Sequence, residues 1–139
     1  MLTYTVSDKP DAQSLLAVDT GLDEYNIAAA PLHEVAPLAV FVTDASGEVV
    51  GGAVGRTWGA GCELQQLWVK DELRKNGVGT RLLVDFEARA RTRGCKVFYL
   101  TTLSFQAPDF YRWHGYAVLA QISGYPHGIV KYLMRKVED

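Results

Sequence analysis

The stretch LWVKDELRKNGVGTRLL, residues 67–83, changes character three times. It opens on the apolar run Leu67, Trp68, Val69, breaks into charge from Lys70 to Lys75, and passes through Gly77 and Gly79 into an amphipathic segment. That order reads as strand, turn, helix. Glycines at such a junction let the backbone come close to a ligand, and the free N–H groups of a helix start point at an anion. A dinucleotide fingerprint needs a third glycine, which Gly77-Val78-Gly79-Thr80-Arg81-Leu82 lacks, and a P-loop needs a Gly-Lys-Ser/Thr that does not follow. What remains is R-x-x-G-x-G opening a long helix, with Arg74 and Lys75 adding positive charge to the same turn. Taken alone, the hexapeptide fits a structural turn as well as an anion cradle.

Working outward, residues 76–93 place Val78, Leu82, Leu83, Phe86 and Ala90 on one helical face and Arg81, Asp85 and Arg89 on another, and Gly94 ends the helix. KVFYLTT (96–102) is nearly unbroken in its apolar character, as buried central strands are. A short helix over 107–114 precedes YAVLAQIS (116–123) and IVKYLMRKV (129–137), which close as a hairpin around Gly124–Gly128. Upstream, CELQQLWV (62–69) follows the turn Gly59–Gly61. LAVFVTD (38–44) and VVGGAVGRTW (49–58) form a hairpin in which Gly51, Gly52 and Gly55 mark a bulge or close packing. From Asp11 to Ala30 the apolar positions Leu15, Leu16, Val18, Leu22, Tyr25 and Ile27 are roughly helical, with an interruption expected at Gly21. Residues 31–37 are expected as a loop. LTYTVS (2–7) alternates like a strand, and Asp8 and Pro10 suit a helix start. The series strand, helix, three antiparallel strands, helix, strand, helix, two strands predicts one mixed α/β domain.

A chain of 139 residues fits a single domain that needs neither disulfides nor metal to hold a core. No segment approaches the roughly 18 consecutive apolar residues of a membrane span. MLTYTVSDKP lacks the basic-then-apolar pattern of a secretory signal, so a cytoplasmic protein without membrane association is expected. Cys62 and Cys95 lack CxxC spacing and read as reduced structural thiols; with His33, His114 and His127 unclustered, no metal site is expected. Charge is divided unevenly. Residues 1–69 carry two bases against nine acids, a net −7, and residues 70–139 carry twelve bases against seven acids, a net +5. The asymmetry suggests an anion handled by the second half and a cationic or neutral partner by the first. The bases are interleaved with acids rather than forming a stripe with aromatics, which weighs against nucleic acid.

A second motif gives the first its meaning. SFQAPDFYRWHGYAV (104–118) follows the next strand. It resembles the closing signature of the GNAT family of N-acetyltransferases, in which a helix carrying Phe-Tyr precedes Gly-aromatic. LWVKDELRKNGVG and APDFYRWHGY stand in the order and at the separation usual in that family, and the resemblance extends from about residue 2 to residue 137. Two departures stand out: Lys75 replaces a glycine found after the motif's arginine in many members, and Ser104 stands where many carry an asparagine beside the pantetheine.

The resemblance implies a single N-acetyltransferase domain over residues 1–139. Its α/β fold would have a mixed, mostly antiparallel sheet of six to seven strands flanked by about four helices. The anion would be the pyrophosphate of acetyl-CoA, cradled by the backbone N–H groups of Lys75, Asn76, Gly77, Val78, Gly79 and Thr80 beside Arg74. Pantetheine would lie along main-chain groups of Leu67, Trp68 and Val69, near Ser104 and Phe110, and the Val69 N–H would polarise the acetyl carbonyl. Tyr111 occupies the family's general-acid position, protonating the departing thiolate. Glu63, six residues before Val69 and on the same strand face by period-two counting, would serve as base through a water, the alternative being a water chain alone. Tyr25, Trp58, Trp68 and His127 would wall the acceptor site. The implied activity is acetyl transfer to a primary amine, with the acidic first half hinting at a cationic acceptor, and small members often form homodimers. A non-catalytic acyl-CoA-binding or regulatory module on the same scaffold is the competing reading, and a nucleotide-binding fold the third.

Overall fold

The computed structural model describes all 139 residues and divides into two compact units, Met1–Glu34 and Val35–Asp139. The first unit is one helix with its flanks. Helix α1 (Ala12–Ala29) is capped by Asp11, whose carboxylate accepts from the Ser14 N–H at 2.8 Å, and a 3-10 turn follows at Leu32–Glu34. Two expectations fail here. The helix runs through Gly21 without interruption, because one interior glycine costs only about 1 kcal/mol against alanine. Residues 2–7 form no strand despite their alternation, since alternation creates a strand only where another backbone edge pairs with it.

The second unit is a six-stranded sheet in the order β1-β2-β3-β4-β6-β5, built from β1 (Ala36–Thr43), β2 (Val49–Trp58), β3 (Gly61–Val69), β4 (Val97–Leu103), β5 (Ala117–Ile122) and β6 (Lys131–Val137). Every neighbouring pair is antiparallel except β3 with β4. Helix α2 (Val78–Thr92) connects those two parallel strands, and α3 (Pro108–Trp113) follows β4. The α/β architecture is therefore the expected one, with six strands, and β1 begins at Ala36, inside the expected loop.

The core lies between α2 and one face of the sheet. Leu82, Leu83, Phe86 and Ala90 of α2 are buried against Leu38, Ala53, Cys62, Leu64, Phe98, Leu100 and Met134. On the opposite side of α2, Arg81 pairs with Asp85 at 2.7 Å across one helical turn. Full burial of each large apolar side chain contributes about 1.5–3 kcal/mol. The helix that the glycine pair opens is thus seated on β1, β2 and β3.

Candidate active site

Strands β3 and β4 pair only at Gly61↔Val97, Cys62↔Phe98 and Glu63↔Tyr99, although β3 continues to Val69 and β4 to Leu103. The cause is local. The β2–β3 register moves from Gly55↔Leu64 to Val54↔Gln66, leaving Gln65 as the extra residue of a β-bulge. A bulge bends its strand and increases the twist, which carries Gln66 to Val69 away from β4 and opens a wedge in the sheet.

The wedge leaves backbone groups without strand partners. The Lys70 N–H donates to the Val50 carbonyl at 2.9 Å, so by alternation the Trp68 N–H faces β2 while those of Leu67 and Val69 face the wedge. On the other wall, the Ser104 N–H donates to the Val130 carbonyl at 2.8 Å, which turns Leu103 and Thr101 toward the wedge. The Leu103 N–H is taken by the Gln106 side-chain oxygen at 2.7 Å. A cleft of about 520 Å³ occupies the wedge. Phe41, Gly52, Gln66, Leu67 and Trp68 line one wall and Thr101, Gln106 and Tyr111 the other, and no charged side chain is among its lining residues.

Tyr111 is buried, yet its phenol makes no hydrogen bond within the chain, and no buried side-chain N or O lacks a partner. Its oxygen therefore opens onto the cleft. Loss of hydration pushes the phenol up to about 12, so Tyr111 holds its proton at neutral pH. Phe110 packs edge-on against Tyr111, with ring centroids 5.3 Å apart, and its far side meets Gly79, where an added β-carbon would lie 3.7 Å from the ring.

The turn before α2 has the geometry of an anion cradle. Lys75 (φ 65) and Gly77 (φ 79) both adopt the left-handed conformation. The N–H groups of all six residues from Lys75 to Thr80 make no hydrogen bond within the chain, whereas the Arg81 N–H already binds the Gly77 carbonyl at 3.0 Å. Successive N–H groups in such a turn form a concavity suited to phosphate, reinforced by the positive end of the helix dipole.

Arg74 is placed differently from expectation. Its Nε donates to the Val69 carbonyl at 2.9 Å and its Nη1 pairs with Asp71 at 2.7 Å, so the side chain pins the turn to the end of β3. Thr80 Oγ1 lies 3.2 Å from His114 Nε2, joining the first turn of α2 to the end of α3. Ser104 is also occupied: its hydroxyl oxygen accepts from the Val130 N–H at 3.0 Å, extending the β4–β6 ladder.

The bulge corrects the argument for Glu63. Leu67 and Val69 pack against the core, and so does Leu64, which sets Glu63 on the opposite face; Gln65 breaks the period-two count between them. Glu63 shares that opposite face with Gln66 and Trp68, the cleft wall, and its carboxylate binds Arg56 Nε at 2.9 Å. Trp58 and His127 do not line the cleft, and Tyr25 belongs to the first unit. Sequence reasoning passed over Gln66, Thr101 and Gln106: Gln66 and Thr101 line the cleft without any motif to mark them, and Gln106 lies inside the second motif but carries no signal of its own there. It also passed over Glu87, whose signal was legible: an acid inside the apolar stripe Leu83, Phe86, Ala90.

Comparison with known proteins agrees with this geometry. Residues 7–116 match the model of the acetyltransferase (GNAT) family. A blasticidin-S acetyltransferase of Streptomyces morookaense is 41% identical over 110 residues, covering 76% of this chain and 81% of the relative. The crystal structure of an acetyltransferase from Bacillus cereus shares the fold with a TM-score of 0.78 at 24% identity, covering 96% of this chain and 98% of that one. An aminoglycoside 6'-N-acetyltransferase solved with coenzyme A shares it with a TM-score of 0.64 at 24% identity, over 73% of this chain and 72% of that one. With a wedge between β3 and β4, a cradle at the start of α2 and a match over most of its length, the chain belongs to the GNAT family of acetyltransferases.

Proposed function

We propose that the protein transfers the acetyl group of acetyl-CoA directly to a primary amine of a small molecule, both substrates being bound together. The observation that carries this reading is the wedge between β3 and β4, whose cleft Tyr111 lines and toward which the Leu67 and Val69 N–H groups face by alternation, together with the unpaired N–H groups at the start of α2. Acetyl-CoA supplies the activated thioester. The six N–H groups from Lys75 to Thr80 hold its pyrophosphate, and the wedge-facing groups of Leu67 and Val69 align its pantetheine. The Val69 N–H stabilises negative charge as it develops on the acetyl oxygen. The amine nitrogen bonds to the carbonyl carbon, the carbon–sulfur bond breaks, and Tyr111 gives its proton to the departing sulfur. An amine with pKa near 10.4 arrives protonated. Glu63 takes the proton that must leave it, through water, and the same relay restores the Tyr111 phenol.

The acceptor is a small amine drug. Support comes from the relative named for blasticidin S and from the uncharged lining of the cleft, in which no side chain in direct contact offsets the lost hydration of a polycation. Thiol release from acetyl-CoA with blasticidin S, kanamycin and spermidine, with the product mass measured, tests this. Release with blasticidin S and acetylation of its amine are expected. Tight acetyl-CoA binding without release for any amine would replace the reading with the binding module.

A further inference from the structure

Glu87 is the one carboxylate in the α2–sheet core, with 4% of its surface exposed. Its Oε2 accepts from the Tyr116 hydroxyl at 2.6 Å, and its Oε1 accepts from Lys136 Nζ at 2.7 Å and Arg91 Nη2 at 3.4 Å. Lys136 Nζ also donates to the His114 carbonyl at 3.1 Å and lies 5.0 Å from the Tyr116 ring centre. The Lys136 stem packs so closely on Gly115 (φ 92) that a β-carbon there would stand 3.1 Å from its Cδ. The carboxylate on α2 thus grips the corner His114-Gly115-Tyr116 from both sides.

That corner in turn fixes Tyr111. The N–H groups of His114 and Tyr116 both donate to the Tyr111 carbonyl at 3.0 Å, and the Tyr111 and Tyr116 rings meet edge-on with centroids 6.0 Å apart. Near the other end of the same helix, Thr80 Oγ1 meets His114 Nε2 and Gly79 meets Phe110. Helix α2 therefore joins the cradle at its N-terminal end to the anchor for the corner after α3 on its third turn. A buried ion pair adds little net stability, since desolvating both charges offsets most of their attraction. Its directional bonds fix geometry instead.

We infer that Glu87 is a positioning residue. Through Tyr116 and Lys136 it sets the height of the Tyr111 phenol relative to the cradle, and so relative to the sulfur of a cosubstrate held there. The inference rests on Tyr111 being the proton donor, and it locates the geometric control of that donor in a side chain outside the cleft.

A double-mutant cycle tests it. Replacing the ion pair by Glu87→Gln with Lys136→Met removes both buried charges together, which avoids leaving one unpaired. Rates are taken with whichever of blasticidin S, kanamycin and spermidine responds, and divided by acetyl-CoA-binding sites counted by titration calorimetry, so that unfolded protein does not enter. The expected result is a kcat lowered at least about tenfold, because small misplacements of a catalytic group are costly. Acetyl-CoA Kd should stay within about twofold, since the cradle is backbone. The loss should vanish when Tyr111→Phe is already present. An equal loss with and without Tyr111, or no loss per binding site, overturns the inference while leaving the donor role intact. A Tyr111→Phe protein of full rate removes the donor role and the inference with it.

Discussion

The backbone of Gly55 passes so close to the carbonyl of Glu63 that a β-carbon on Gly55 would overlap that oxygen, while the Phe86 ring would stand only 2.9 Å away on the other side. The glycine sits where the β2–β3 register shifts, between Val54 and Gly55, opposite the bulge at Gln65. Gly55→Ala therefore has to displace either backbone or the central core ring. Overpacking of this kind costs about 1–3 kcal/mol or more. Urea denaturation should show that loss, whereas Gly47→Ala, in an open turn at φ 86, should lose only about 1 kcal/mol from its left-handed backbone.

Much of this was legible in the chain. The hairpin strand 49–58, the apolar stripe of α2 and the six unpaired N–H groups from Lys75 to Thr80 follow from period, turn chemistry and helix-end geometry, all of which are local. What was not legible depends on pairing. The alternation in LTYTVS predicts a strand, yet no edge pairs with it. The face occupied by Glu63 depends on one unpaired residue, Gln65, and nothing in CELQQLWV marks which residue is extra. Arg74 reads as phosphate-binding charge, but Asp71 and the Val69 carbonyl lie nearer to it.

Alkaline stability should report the buried phenol. Burial raises Tyr111 from the ordinary value of 10 to about 12, so the folded state retains a proton that the unfolded chain releases sooner. The resulting stability is complete below pH 10 and is lost as pH rises from about 10 to about 12. Its size is about 2–3 kcal/mol, at 1.36 kcal/mol per unit. Cys62, raised from 9.0 to about 12, and Tyr116, raised further, titrate in the same direction. Tyr111→Phe should therefore flatten only part of the alkaline fall in denaturation midpoint, while lowering kcat about 100-fold at neutral pH.

The cradle should be sensitive to backbone shape rather than to side-chain space. A β-carbon on Gly77 would meet nothing within 4 Å, so the obstacle to substitution is its left-handed φ of 79 alone. Gly77→Ala should cost about 1–2 kcal/mol in the turn. Where the turn relaxes instead, its N–H groups no longer converge, and the acetyl-CoA Kd rises. Calorimetry should show weakening of at least about tenfold, with the amine KM little changed. Arg74→Gln should weaken acetyl-CoA binding less than Lys75→Gln, because Arg74 is already engaged with Asp71 and Val69.

The base role proposed for Glu63 can be separated from the donor role proposed for Tyr111 by pH. A base is needed only while the acceptor amine is protonated, so the need declines as pH approaches the amine's own pKa, near 10.4 for a lysine-like group. Glu63→Gln should lower kcat/KM about tenfold at pH 7, and the deficit should shrink steadily toward pH 9, whereas the Tyr111→Phe deficit should not. The Arg56 guanidinium binds the same carboxylate at 2.9 Å. Arg56→Gln frees the carboxylate without removing it and should leave the rate at pH 7 within about threefold, since an exposed ion pair contributes about 1 kcal/mol or less. A Glu63→Gln protein whose deficit is independent of pH would move the base to water alone, leaving the Glu63–Arg56 pair as a surface tie between β2 and β3.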